Sequence, residues 1–270
     1  MKKVLIANRG EIAIRIARTC NDLGLKTVGI YSEDDANSLH LSKVDEAYKI
    51  DEKGAQAYLD IKEIIRIAKE SKADAIHPGY GFLSENSLFA SAAKRAKIKF
   101  IGPNERTLKI FGDKTSAKEL ASSLNIPVIA GTHEKTSIRK AQSFMKSLKK
   151  NSSVVIKAIS GGGGRGMRVV SKIDDLKESF DRAASEAKAS FDSPDLYLEE
   201  YLKNYRHIEF QIIGDGTGGV SHLHERECSI QRRHQKLIEI APSPSLDLEL
   251  KSKMVEASLA LTQKLKYEGL

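Results

Sequence analysis

Ile156-Lys157-Ala158-Ile159-Ser160-Gly161-Gly162-Gly163-Gly164-Arg165-Gly166-Met167-Arg168-Val169-Val170 sets a lysine on a β-prone run, follows it with five glycines, and then returns to a β-prone run. Gly161, Gly163 and Gly166 satisfy G-x-G-x-x-G, a pattern shared by several phosphate-binding loops, so the flanking residues must choose among them. A Walker loop is excluded: Met167 stands where its lysine must be and Arg168 where its magnesium-binding hydroxyl must be. A dinucleotide loop would open a helix, whereas helical spacing begins only near Asp174. The segment therefore reads as two strands joined by a glycine hairpin. In such a hairpin, small residues let backbone N–H groups approach a phosphate chain while a strand-borne lysine supplies charge. Lys157, between Ile156 and Ala158, needs an anionic partner wherever it is held. The alternative is a turn without function, against which stands the conformational freedom each glycine loses on ordering.

Upstream, strand-like and helix-like segments alternate. Val4 to Ala7 reads as a buried strand, and Ile12, Ile16, Cys20 and Leu23 follow at helical spacing until Gly24. Strands are expected at Thr27–Tyr31, Glu46–Ile50, Ala73–Ile76 and Lys99–Gly102, with helices at Tyr58–Lys69 and Glu85–Ala96. This alternation predicts α/β architecture with a doubly wound parallel sheet. Asn8-Arg9-Gly10-Glu11 lacks the dinucleotide glycines, so the first domain is not a standard NAD site.

A boundary is placed at about residue 112, giving domains 1–112 and 113–270. The second opens with a helix from Lys114 to Asn125 and continues with a helix at Ile138–Lys149 and the hairpin. A helix carrying Leu176, Phe180 and Ala183 comes next, then strands at Tyr197–Glu200, His207–Ile213 and Val220–His224 and a helix at Leu246–Lys266. That mixture reads as α+β with antiparallel strands.

Composition narrows the function classes. With 40% apolar and 30% charged residues in 270, the chain is globular in type. No apolar run reaches membrane-spanning length, and Asn8-Arg9 interrupts the first apolar stretch before it could serve as a signal-peptide core, so a cytoplasmic protein is expected. Cys20 and Cys228 are too few for a disulfide framework. The net charge of +8 raises nucleic acid as a partner, but acids alternate with the lysines, as in Lys62-Glu63 and Lys69-Glu70, and anionic small substrates account for the excess equally well.

Three stretches taken together carry a family resemblance: His77-Pro78-Gly79-Tyr80-Gly81-Phe82-Leu83-Ser84-Glu85-Asn86, the glycine hairpin, and Glu225-Arg226-Glu227-Cys228-Ser229-Ile230-Gln231-Arg232-Arg233-His234-Gln235-Lys236. They resemble biotin carboxylase, of the ATP-grasp superfamily, and the similarity runs from Lys3 to Leu270. The resemblance implies a pre-ATP-grasp domain followed by an ATP-grasp domain with a glycine-rich lid over about 131–203. It implies ATP-dependent carboxylation of carrier-bound biotin: bicarbonate attacks the γ-phosphoryl group and the resulting carboxyphosphate delivers CO₂ to the ureido nitrogen. ATP with magnesium or manganese is the implied cofactor set. A biotin carboxyl carrier protein or domain, a carboxyltransferase and a possible homodimer are the implied partners, within an acetyl-CoA or pyruvate carboxylase system.

Carried over by position, Lys114 and Lys157 hold phosphates, Gly163 and Gly164 lie in the lid, and Glu199, Glu200, Tyr201 and Leu202 form a hinge facing adenine. His207, Gln231 and His234 line the nucleotide site, and Lys236 meets bicarbonate as the catalytic cation. Glu200 departs from the lysine usual in the family, which leaves backbone contacts to adenine but not a side-chain one. The family's metal-binding glutamates, its base and its biotin arginine fall beyond Leu270, so no metal ligand is assigned, and a polypeptide ending there is expected to be a fragment without bicarbonate-dependent ATP turnover.

Other readings stand beside these. Lys114 could be a solvated helix-start lysine, Arg232 and Arg233 a surface charge run, and Glu85 and Asn86 simple helix caps. His222, His224, Cys228 and His234 fit no established zinc spacing, and nothing marks Cys228 as a nucleophile. Another ATP-grasp ligase, such as a carbamoyl-phosphate synthetase half, and a non-catalytic nucleotide-binding fragment are the competing functions.

Overall fold

The computed structural model describes all residues except 133, 160–166, 233 and 234. The chain forms two compact units, one of residues 1–113, 213–221 and 262–270 and one of residues 114–212 and 222–261.

The first unit begins β1 (Lys3–Ile6), α1 (Gly10–Asp22), β2 (Lys26–Tyr31), β3 (Glu46–Lys49). It continues α2 (Gly54–Ala57), α3 (Ile61–Glu70), β4 (Ala75–His77), α4 (Ser87–Arg95), β5 (Lys99–Phe100), α5 (Glu105–Gly112). The five strands make a parallel sheet in the order β3-β2-β1-β4-β5, as the alternation of segments predicts. Successive residues of β1 point to opposite faces, and both faces are covered. Val4 and Ile6 pack with Ala13, Ile16 and Cys20 of α1, while Leu5 joins the core of Ile64, Ile67 and Phe89 from α3 and α4. This is why the strand reads as a continuous apolar run rather than an alternating one.

In the first unit, the starts of α3 and α4 differ from expectation. The segment expected as one helix from Tyr58 breaks at Leu59-Asp60, where Asp60 caps α3 by accepting from the Glu63 N–H at 3.0 Å. α4 starts two residues later than expected because Asn86, not Glu85, is its cap, accepting from Phe89 N–H at 3.0 Å. Short polar side chains satisfy the orphan N–H groups of a helix start at that position.

The second unit runs α6 (Lys114–Ser123), α7 (Ile138–Ser147), β6 (Ser153–Ala158), β7 (Arg168–Val170), α8 (Leu176–Phe191), β8 (Leu196–Tyr201). The chain continues with β9 (Ile208–Asp215), β10 (Val220–Arg232), β11 (Gln235–Ile240) and α9 (Leu248–Lys264), of which residues 213–215, 220–221 and 262–264 belong to the first unit and the rest to the second. β6 is central in an antiparallel three-stranded sheet, with β7 on one side and β8 on the other. Val154, Ile156, Ala158, Leu196 and Leu198 pack against Ala141 of α7 and Ala183 and Ala187 of α8. β10 extends to Arg232, eight residues past the expected strand end, and pairs antiparallel with β11, which the sequence reading does not contain. In the first unit, β12 (Glu268–Gly269) places Glu268 opposite Asp215 and Gly269 opposite Gly214.

Candidate functional site

Alternation along β6 and β8 puts Lys157, Tyr197 and Glu199 on the sheet face away from the α7–α8 core. Lys157 pairs with Tyr197 and Val155 with Glu199, so Lys157 and Glu199 are diagonal neighbours on that face. Glu199 is 6% exposed, and its carboxylate accepts from two ammonium groups. Lys157 donates to Oε2, and Lys118 of α6 donates to Oε1. The Lys118 ammonium also stands 5.9 Å from the Tyr197 ring centroid. Burial alone would push the Glu199 carboxyl up, but the hydrogen bonds and charges of Lys118 and Lys157 outweigh it and hold the group below its ordinary value. The Tyr197 phenol is pushed up to about 12, by burial first and then by the Glu199 charge, so it stays neutral across the working pH range. The anionic partner that Lys157 requires is thus a carboxylate of the same face.

Glu200 projects to the opposite side of β8, where it accepts from Ser152 Oγ at 3.0 Å. Its N–H donates to Ala130 O at 2.8 Å, and Tyr201 and Leu202 follow as exposed side chains. Lys114 opens α6 one turn before Lys118, so the two lie on the same side of that helix. Gly163, Gly164 and His234 lie outside the described residues.

A second group of the expected residues meets on β9, β10 and β11. Gln231 Nε2 donates to His207 Nδ1 at 2.8 Å and to Cys228 O at 2.9 Å. His207 Nε2 stands 3.6 Å from the Glu209 carboxylate, which accepts from Lys236 and from Arg226. Arg226 reaches Glu239 at 3.1 Å through Nε and Gln211 at 3.0 Å through a terminal nitrogen. Gln231 and Lys236 are register partners in the β10–β11 ladder. Burial pushes the Glu209 carboxyl up, and Lys236 and Arg226 pull it down further, leaving it below the usual range. The Lys236 ammonium is correspondingly raised, chiefly by its hydrogen bond to Glu209.

Glu209 and Lys118 are among the described site residues that sequence reasoning missed. A weak signal for each existed: Glu209 sits two residues from His207 on a strand, and Lys118 four from Lys114 on a helix.

Among the described residues, Glu209, Cys228 and Glu239 bring three potential metal-ligand atoms within 4.8 Å of one another. Arg226 and Lys236 already bring positive charge to those carboxylates, and burial pushes the Cys228 thiol up, followed by the Glu209 charge. That donor set suits neither magnesium, which takes hard oxygen ligands, nor a thiolate-held zinc ion, and no residue described here is assigned to a metal. Cys228 is likewise not primed as a nucleophile.

Below this network, Glu227 is 9% exposed and accepts from Arg206, from Ser229 Oγ at 2.5 Å and from Ser243 Oγ at 2.7 Å. These bonds, the Arg206 guanidinium first, hold its carboxyl at about 2 against an ordinary 4.5. A folded value depressed in this way stabilises fully above the unfolded pKa and is lost as pH falls through the folded one. Acid titration followed by circular dichroism should show stability falling between about pH 4.5 and 2, with Glu227→Gln flattening the slope there. An unchanged slope in the variant would contradict this role.

In the first unit, a cleft of about 810 Å³ opens where the β1 and β4 ends meet, lined among others by Arg15, His77, Tyr80, Glu85 and Tyr267. This is the switch point of the sheet order, where the chain leaves neighbouring strands in opposite directions and a crevice results. The His77–Asn86 stretch supplies its rim: Gly79 N–H donates to His77 Nδ1 at 3.0 Å, and Tyr80 OH to Glu11 at 3.2 Å. Burial lowers the His77 pKa, so the ring accepts that bond in its neutral form.

Residues 1–108 match the family described as "Biotin carboxylase, N-terminal domain", and residues 113–270 match "Carbamoyl-phosphate synthase L chain, ATP binding domain". Pyruvate carboxylase of Bacillus subtilis (strain 168) is 50% identical over 270 residues, 99% of this chain. The chain spans only 23% of that relative's length. The biotin carboxylase–β,γ-ATP complex from Campylobacter jejuni superposes with a TM-score of 0.92 at 42% identity, over 99% of this chain and 60% of that one. The biotin carboxylase domain dimer of Hydrogenobacter thermophilus 2-oxoglutarate carboxylase, in complex with MgADP, ADP and bicarbonate, superposes at 0.91 with 41% identity. It too is matched over 99% of this chain, and over 59% of its own length. No helix among the described residues is long and apolar enough to cross a membrane. With both domain families matched in order and the same fold in both solved structures, the chain belongs to the biotin carboxylase family.

Proposed function

We propose that the protein carries out the ATP-dependent carboxylation of carrier-bound biotin with bicarbonate. The observation that carries this reading is the unbroken match along the whole chain to biotin carboxylases and pyruvate carboxylases, among them one solved as a β,γ-ATP complex and one with MgADP and bicarbonate. Residues 1–112 serve as the pre-ATP-grasp domain and 113–270 as the ATP-grasp domain, with the lid over about 131–203. Lys114 and Lys157 hold phosphates, Gly163 and Gly164 close over them, and Glu199 through Leu202 face adenine. His207, Gln231 and His234 line the nucleotide site, and Lys236 holds bicarbonate.

The chemistry asks for alignment and charge neutralisation more than for a nucleophile. A bicarbonate oxygen attacks the γ-phosphorus and ADP leaves; carboxyphosphate then parts into CO₂ and phosphate, and the ureido nitrogen adds CO₂ as its proton passes to the released phosphate. Magnesium, when bound, spreads the charge of the transferring phosphoryl group. Lys236 is held at its place by Glu209, which fixes its ammonium for an anion the size of bicarbonate. The partners of this reading are a biotin carboxyl carrier, a carboxyltransferase and a second copy of the chain.

Calorimetric titration with ATP, followed by assay of ADP formation with bicarbonate and free biotin, tests the assignment. ATP should bind, Lys157→Met should weaken it at least about tenfold, the worth of a charge-assisted hydrogen bond, and any ADP formation should rise with biotin. Absence of ATP binding, or ADP formation that responds to another acceptor and not to biotin, would overturn it.

A further inference from the structure

The Lys118–Glu199–Lys157 arrangement has one acid serving two cations, both on the face that the ATP reading assigns to phosphate. The Glu199 side chain is 8% exposed, against 22% for Lys118 and 27% for Lys157. Each ammonium takes its own carboxylate oxygen, so neither excludes the other. Tyr197, which shares this face, is neutral and brings no charge to it.

If Lys157 alone faced Glu199, the pair would be neutral. An arriving phosphate could then take Lys157 only by leaving a buried carboxylate unpaired, which is among the costlier events in a protein interior. With Lys118 on the other oxygen, the carboxylate stays neutralised when Lys157 turns to an anion. Resting on the ATP reading above, we propose that Lys118 is a positioning residue: it neutralises Glu199 so that the Lys157 ammonium is available to a nucleotide phosphate. It touches no reacting atom, and its effect passes through Glu199.

The role predicts a charge requirement at position 118 that acts on phosphate and not on the nucleoside. Binding of ATP, ADP and adenosine to the wild-type protein, Lys118→Met and Lys118→Arg would be measured by calorimetry. Wild type should prefer ATP to adenosine. Lys118→Met should lose about tenfold or more of that preference, in keeping with one charge-assisted contact, while adenosine affinity, which also reports that the variant is folded, stays unchanged. Lys118→Arg should keep the preference within about threefold, since a guanidinium carries the same charge. An ATP-over-adenosine ratio in Lys118→Met equal to that of wild type would overturn the proposal, as would a loss in Lys118→Arg as large as in Lys118→Met, which would show that shape and not charge matters. A wild-type protein that binds adenosine but shows no preference for ATP would sink the ATP reading itself, and this proposal with it. That outcome is read before any variant is made.

Discussion

Glu199→Ala should lower the unfolding free energy by about 3 kcal/mol, the lower end of the cost of removing one partner from a buried ion pair. The lower end applies because both lysines are partly exposed and their long stems can carry the ammonium groups toward water. The variant keeps the β6–β8 ladder but leaves two cations on one sheet face without the carboxylate that joined them. Urea unfolding at neutral pH measures the loss directly. The wild-type carboxyl is depressed in the fold, so the stabilisation it provides is complete above the ordinary carboxylate range and fades as pH falls through its folded value. The gap between wild type and Glu199→Ala should therefore shrink on acidification. A gap below about 0.5 kcal/mol at neutral pH, the size of an ordinary surface substitution, would mean that the two contacts contribute nothing to the fold.

Gly79→Ala should cost about 2–4 kcal/mol, combining a left-handed backbone forced on alanine with a disturbed buried amide. Gly79 has φ +67°, and a Cβ there would stand 2.5 Å from Asn8 Nδ2 and 2.8 Å from Ile12 Cγ2. Asn8 is fully buried and cannot simply step aside. Its Nδ2 donates to Pro78 O at 2.8 Å and to Tyr80 O at 2.9 Å, and its Oδ1 accepts from Arg9 N–H at 2.9 Å. That one amide ties the turn after β1 to the turn after β4 and shapes the rim of the 810 Å³ cleft. Thermal and urea unfolding report the loss, and hydrogen exchange should rise across residues 77–82. An alanine variant as stable as wild type would show that the turn relaxes around the new methyl group.

Much of the first unit was legible because its signals are local. Val4–Ala7 declares a strand covered on both faces, Ile12, Ile16 and Cys20 declare the helix that covers one of them, and alternation of such pairs admits few arrangements other than a parallel sheet. Boundaries were less legible: Asp60 and Asn86 started helices two or three residues from where apolar spacing placed them, since a cap depends on one side-chain oxygen reaching one N–H. β11 was missed because Gln235–Ile240 is an exposed edge strand with no alternation of burial, and it becomes a strand only through its pairing with β10.

At the site, residue types and spacing were enough to say that a lysine on an apolar strand beside five glycines wants an anion, because charge, size and periodicity belong to the residues themselves. Which anion answers it in the folded chain was settled only when β8 lay against β6 and α6 came over them, bringing Glu199 and Lys118, 42 and 39 residues away from Lys157, to the same face. Pairing at such separations is chosen by the whole set of packed elements and leaves no trace in the neighbouring sequence. The same holds for Glu209, whose carboxylate joins His207, Arg226 and Lys236 only because three strands of one sheet run side by side.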